Sequence, residues 1–148
     1  MAKYYSTKTF GNDRGLSCAF RQWRADSHCN LLHGYSLGFR FIFEADTLDD
    51  RNWVFDFGDT KWIKEYLDHT FDHTLVVSED DPKLDMFKQL EKAGTCDLRI
   101  LSAVGCERFA EMVFADISHQ VYEQTQQRVR LKSVECFEHG SNSAIFEG

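Results

Sequence analysis

A chain of 148 residues, 43% hydrophobic and 28% charged, is long enough to bury one real core, and its composition is that of a globular domain rather than a disordered polymer. The formal net charge of −7 argues against nucleic acid as a partner, because phosphates demand clustered Lys and Arg, and here only Arg21, Arg24, Arg128 and Arg130 gather loosely. No apolar run approaches the ~20 residues of a membrane helix, and Met1-Ala2-Lys3-Tyr4-Tyr5 is not a signal peptide, so no membrane partner and a cytoplasmic location are expected.

Tyr4 to Phe10 alternates weakly, Gly11 to Gly15 reads as a turn, and Leu16 to Trp23 resumes as a strand, which suggests a hairpin. Arg24 to Asn30 is polar and loop-like. Tyr35 to Ala45 is the clearest strand, with Leu37, Phe39, Phe41 and Phe43 on one face. Trp53-Val54-Phe55 is a short strand or an extended lead-in, after which Asp56 or Asp59 caps a helix to about Phe71. Thr74 to Val77 is a short strand, and Pro82 suits the start of a helix ending near Gly94. Leu98 to Leu101 is a brief strand. Gly105 to about Tyr122 is amphipathic, with Phe109, Met112, Val113, Ile117 and Val121 on one side. Arg128 to Phe137 and Ser143 to Phe146 are the last strands. The order ββααββ predicts a single α+β domain over residues 1–148, a four-stranded antiparallel sheet with helices packed on one face. The open edges of such a sheet predict an oligomer.

Five cysteines, Cys18, Cys29, Cys96, Cys106 and Cys136, are an odd number without a Cys-x-x-Cys pair, which argues against disulfides and against a zinc ribbon. Most are expected to be small core residues. Cys29 is the exception, because it lies in a polar loop between His28 and His33. A thiol and an imidazole in one short loop invite proton-transfer or metal chemistry, although packing or solvent exposure explains them equally well when they are taken alone.

Three separated features raise the weight of the chemical reading. They are Cys29-x-x-x-His33-Gly34, the segment Phe71-Asp72-His73-Thr74, and Glu138 before the turn Gly140-Ser141-Asn142. With Trp53-Val54-Phe55-Asp56-Phe57-Gly58 and Glu138-His139-Gly140-Ser141-Asn142-Ser143-Ala144, this set resembles the 6-pyruvoyl-tetrahydropterin synthase and 6-carboxytetrahydropterin synthase family from about Leu16 to Phe146. The resemblance implies a T-fold closed into an oligomeric barrel, as a trimer or hexamer with sites between subunits. It also implies a lyase acting on dihydroneopterin triphosphate, shifting protons along the side chain with loss of triphosphate or acetaldehyde. The carboxytetrahydropterin branch, which feeds 7-deazaguanine and queuosine synthesis, is the favoured version.

By the same resemblance Cys29 is the proton-transferring thiol, and Asp72 and His73 are its relay. Glu138 holds the pterin's N–H groups, a task that suits a carboxylate accepting two parallel donors. Glu107 matches a further substrate contact at a helix start, although Val104-Gly105-Cys106-Glu107 departs from the family's Pro-Thr-Ser-Glu. Asp68-His69, a second such pair, is expected on a solvated helix face. The family's Zn²⁺ takes three histidines, and here those positions read Phe20, His33 and Tyr35, so only His33 remains. Three readings stay open. The zinc site is rebuilt with His28, Cys18 or Cys29; metal-free chemistry uses Tyr35 and Arg21 for polarisation; or the chain binds a pterin or purine without turning it over.

Overall fold

The computed structural model describes residues 2–148. In chain order these form β1 (Tyr4–Phe10), β2 (Leu16–Phe20), β3 (His33–Ala45), α1 (Lys61–Phe71), β4 (Thr74–Ser78), α2 (Leu84–Lys92), β5 (Leu98–Leu101), α3 (Cys106–Gln124), β6 (Val129–His139) and β7 (Asn142–Glu147). The α+β class is as expected. The four-stranded antiparallel sheet is not, because the strands form one mixed sheet of seven in the order β5-β4-β2-β3-β6-β7, with β1 also on β3. Within it β1, β3, β6 and β7 pair antiparallel, whereas β4 joins β2 and β5 in parallel.

The strand β3 organises this sheet. Leu37, Phe39, Phe41, Phe43 and Ala45 alternate onto one face and are fully buried, as the period of two requires. On α3, Phe109, Val113, Ile117 and Val121 recur every four residues and meet them, while α1 adds Ile63, Leu67 and Phe71. The Trp53–Phe55 segment is a lead-in without strand pairing, and Phe55 stacks on Phe43 with ring centroids 4.5 Å apart.

Two expectations are corrected here. Strands β1 and β2 form no hairpin; both lie along the same edge of β3, Phe10 opposite Phe39 and Leu16 opposite Leu37. The chain between them makes a 3₁₀ turn (Asn12–Arg14) that bulges out and rejoins the same edge, because Asn12 is fastened to β3. Its Nδ2 donates to the Ser36 carbonyl at 2.6 Å, and Ser36 Oγ donates to its carbonyl at 2.6 Å. Nor do all helices cover one face. Val76 of β4 joins the main core, but its neighbours Leu75 and Val77 pack with Phe87 of α2 and Leu98 of β5 in a second cluster. Successive strand side chains point to opposite faces, so α2 covers the reverse side of that end of the sheet.

Gly38 lets the Asn12 turn approach β3. A Cβ there would lie 2.9 Å from the Asn12 amide nitrogen and 3.0 Å from the Phe10 carbonyl, both rigid backbone. Gly38→Ala is therefore expected to destabilise the protein by about 1–3 kcal/mol, the usual cost of overpacking. Denaturant unfolding should show a lower midpoint with an unchanged slope.

Candidate functional site

The site lies where the C-terminal end of β2, the N-terminal end of β3, the start of α3 and the β6–β7 turn converge. A cleft of about 170 Å³ is lined there by Phe20, Gln22, Cys29 and Tyr35, by Gly105, Cys106 and Glu107 of the α3 entry, and by Glu138, Asn142 and Ser143.

The Cys29 loop is held by its own backbone. Ser27 Oγ accepts from the Cys29 amide at 3.3 Å and opens a 3₁₀ turn (His28–Asn30). The Gln22 amide donates to the Cys29 carbonyl at 2.8 Å, and Asn30 Nδ2 donates to the Trp23 carbonyl at 2.8 Å. Cys29 is thereby presented as the exposed thiol of the chain. Cys18, Cys106 and Cys136 are buried, as the reading of most cysteines as core residues requires, and Cys96 is half-buried. Burial pushes the Cys18 thiol up to about 12.

Glu138 reaches the cleft by strand periodicity. Val134 and Cys136 are buried on the core face of β6, and Glu138 is the next residue on that face, at a break in register between Phe137 and His139. Glu107 stands in the first turn of α3 behind Gly105, whose φ of 111° is open to glycine but strained for other residues. Gln22 Nε2 donates to the Val104 carbonyl at 3.1 Å and occupies the space a Cβ on Gly105 would need. Gln22 and Cys106 were not singled out from the sequence. Gln22 lies two residues beyond Phe20 along the strand direction, a signal that marks the side but not the contact.

Asp72 and His73 lie elsewhere on the chain. Asp72 Oδ1 accepts from the Ser17 amide at 3.1 Å and lies 3.0 Å from His73 Nδ1. Ser17 is three residues before Phe20, so ~10 Å of strand separates the two ends of β2. Asp72 lines a different cavity, with Arg14, Leu16 and Lys64. His73 takes a left-handed φ of 59° between α1 and β4, and its ring is 84% exposed. A single chain therefore keeps the expected relay apart from the expected thiol. Asp68 pairs with Lys64 at 2.7 Å on the surface of α1, and His69 beside it is exposed.

The zinc positions also depart from a metal site. Phe20 is the cross-strand partner of His33, and its ring stacks on Tyr35 at 4.4 Å and 19°. His33 is exposed, with Nδ1 2.6 Å from the Leu31 carbonyl, and His28 is exposed on the 3₁₀ turn. Among the described residues no group of three or more His, Cys, Asp or Glu is placed to hold a metal ion. The donor set present, one imidazole beside two carbon rings, does not fit Zn²⁺, which takes three protein ligands even at a catalytic site.

Arg21 is committed to Asp81, with Nε at 2.9 Å from Oδ2 and Nη2 at 2.7 Å from Oδ1, while Nη1 donates to the Asn30 carbonyl at 3.2 Å. It braces the Cys29 loop, and polarising a substrate is not open to it while these bonds stand. The guanidinium holds the Asp81 carboxyl below the ordinary carboxylate range.

These features define an α+β fold with a polar cleft at the end of its sheet. The family model described as 6-pyruvoyl tetrahydropterin synthase matches residues 11–148. The chain belongs to that family. Among solved structures, an uncharacterized protein, WS1659, from Wolinella succinogenes superposes with a TM-score of 0.85 at 18% identity, covering 100% of this chain and 99% of that one. The 6-pyruvoyl tetrahydropterin synthase of Plasmodium falciparum superposes at 0.71 and 12% identity with the same coverage. The Caenorhabditis elegans enzyme superposes at 0.61 and 16%, covering 99% of this chain and 95% of that one. Comparison with curated proteins returns no match. The fold is that of the T-fold synthases.

Asp81→Asn is expected to cost about 1.5–3 kcal/mol at neutral pH, the range for hydrogen bonds to charged groups. Because the folded carboxyl titrates below its unfolded value, this contribution is complete above the ordinary carboxylate pKa and is lost as pH falls through the folded one. Unfolding curves of the two proteins should thus stay apart from pH 7 to about pH 5 and converge only in stronger acid.

Proposed function

We propose that the cleft binds a pterin through Glu138 and that Cys29 transfers protons on the substituent of that ring. The observation that carries this reading is that Cys29 and Glu138, over a hundred positions apart, line one cleft together with Glu107. Glu138 offers two oxygens to a ring edge carrying adjacent N–H donors, and Glu107 lines the same cleft. The reaction class this supports is that of a lyase acting on dihydroneopterin triphosphate, in the manner of a 6-carboxytetrahydropterin synthase of the 7-deazaguanine route, within the cytoplasm.

The site needs a second subunit. At about 170 Å³ the cleft is smaller than the ~300–1,000 Å³ that buries a small-molecule ligand, and it lacks Asp72 and His73. The outer edges of β1 and β7 pair with no strand among the described residues. Exposed Tyr4, Tyr5, Trp53 and Phe57 flank the first edge, and exposed Ile145 lies on the second. Different edges meeting head to tail close a ring, which supports a homo-oligomer, a trimer or a hexamer of stacked trimers. In such a ring the Asp72–His73 pair of one subunit reaches Cys29 of the next. There the carboxylate orients the imidazole and stabilises its protonated form as the proton passes.

A second reading, ligand binding without turnover, is favoured by one observation, the Phe20–Tyr35 stack at the zinc positions. Two variants separate the readings. Glu138→Gln should weaken binding of neopterin at least tenfold, about the loss of one charge-assisted hydrogen bond. Cys29→Ala should leave that binding intact but abolish turnover of dihydroneopterin triphosphate. Mixed oligomers of Cys29→Ala and Asp72→Asn should regain activity that neither homo-oligomer has. Turnover unchanged in Cys29→Ala removes the thiol from the mechanism, and a wild-type protein that binds neopterin without turnover establishes the second reading.

A further inference from the structure

We infer that this cleft holds its flat heteroaromatic ligand without a metal ion, with the Phe20–Tyr35 stack in place of metal donors and the Tyr35 hydroxyl as the polar group facing the ligand. The inference rests on the proposed reading that the cleft takes a pterin, and it specifies the chemistry of the floor.

The aromatic floor is built rather than accidental. Phe20 is buried between two rings, stacked on Tyr35 at 4.4 Å and edge-on to Phe109 of α3 at 5.1 Å and 83°. Phe109 in turn meets Phe71 of α1 edge-on at 5.1 Å. The ring at position 20 is thus one link in a chain of aromatic contacts reaching the core. An imidazole there would give up part of that packing and would bring a polar nitrogen into the stack.

No neighbouring residue restores the missing donors. Cys18, opposite Tyr35 on β2, is 2% exposed and does not line the cleft. His33 and His28 are exposed, and one imidazole at this place does not suffice.

Tyr35 offers a different polar handle. It lines the cleft together with Cys29, Glu107 and Glu138. Its phenol O–H is able to donate to a carbonyl or alcohol oxygen on the ligand. A fixed donor in a partly dry cleft stabilises negative charge growing on such an oxygen, as an oxyanion-hole group does.

The geometry also states what would reverse the arrangement. Positions 20 and 33 face each other across β2 and β3, ring 20 touches ring 35, and the His33 and Tyr35 centroids are 6.3 Å apart. Three imidazoles at these places lie within reach of one tetrahedral ion.

The test is zinc stoichiometry by elemental analysis, after exposure to excess zinc and desalting, alongside neopterin binding with and without chelator. The wild-type protein should keep well under one zinc per chain, and chelator should leave neopterin binding unchanged. F20H/Y35H should retain about one zinc per chain, lost again when His33→Ala is added, as a three-histidine site requires. Tyr35→Phe should weaken neopterin binding about tenfold, the effect of one hydrogen bond. About one zinc per wild-type chain, or neopterin binding abolished by chelator, overturns the inference. Unchanged binding in Tyr35→Phe removes the hydroxyl from it. A folded F20H/Y35H that takes no zinc overturns the claim that the rings occupy donor positions. If that variant does not fold, the wild-type zinc count and the chelator experiment still decide. If the wild-type protein binds no neopterin under any condition, the proposed function falls, and the zinc count alone decides whether the cleft is metal-free.

Discussion

Pairing of β3 along both of its edges is the constraint on which the rest of the structure depends. Its thirteen residues take β1 and β2 end to end on one side and β6 on the other. Its alternation commits five apolar side chains to the core face, so a slip of one residue would turn all of them to the reverse face. That register fixes the site as well. The C-terminal half of β3 anchors the core beneath α3, while the N-terminal end places His33 opposite Phe20 and Tyr35 opposite Cys18. Through β6, the same strand sets where Glu138 emerges.

The cleft gathers its groups from segments that each solve a local problem. The Cys29 loop closes its own backbone hydrogen bonds and is braced by Arg21 and Asp81. Glu138 arrives at the end of a strand, and Glu107 at the start of a helix behind Gly105, whose φ of 111° favours glycine. What one chain does not gather is the Asp72–His73 pair, held at the far end of β2 in a strained but exposed turn. A strained conformation retained at an exposed histidine is the kind of feature that functional sites keep. In the proposed ring it would face the site of the neighbouring subunit.

Much of this was legible in the sequence, for physical reasons. Leu37 to Phe43 alternates cleanly because one face of β3 is buried, and α3 declares itself through Phe109, Val113, Ile117 and Val121. Leu98 to Leu101 is bounded by the strand limits expected for it. The parallel pairing of β4 was not legible, since a short run of four apolar residues carries no record of its neighbours. The same run hid that Leu75 and Val77 face α2 while Val76 faces the main core. Gly11 to Gly15 read as a reversal because turn residues mark a bulge and a hairpin alike, and what decides is Asn12 binding Ser36. The pairing of Arg21 was hidden for a similar reason. Its partner Asp81 lies sixty residues away, and no local pattern announces a pair of that range. At the site, family resemblance marked Cys29, Glu107 and Glu138, which do share one cleft, and it exposed the substitutions at Phe20 and Tyr35.

The most direct measurement is the rate of Cys29 alkylation by iodoacetamide, followed by mass spectrometry, in the native protein with and without saturating neopterin. Cys96, half-buried and remote from the cleft lining, serves as the internal control. If thiol and pterin share the cleft, neopterin slows alkylation of Cys29 and leaves Cys96 unchanged. Equal rates at Cys29 in the free and saturated protein would contradict the account, because the ring would then be bound away from the thiol said to act on it.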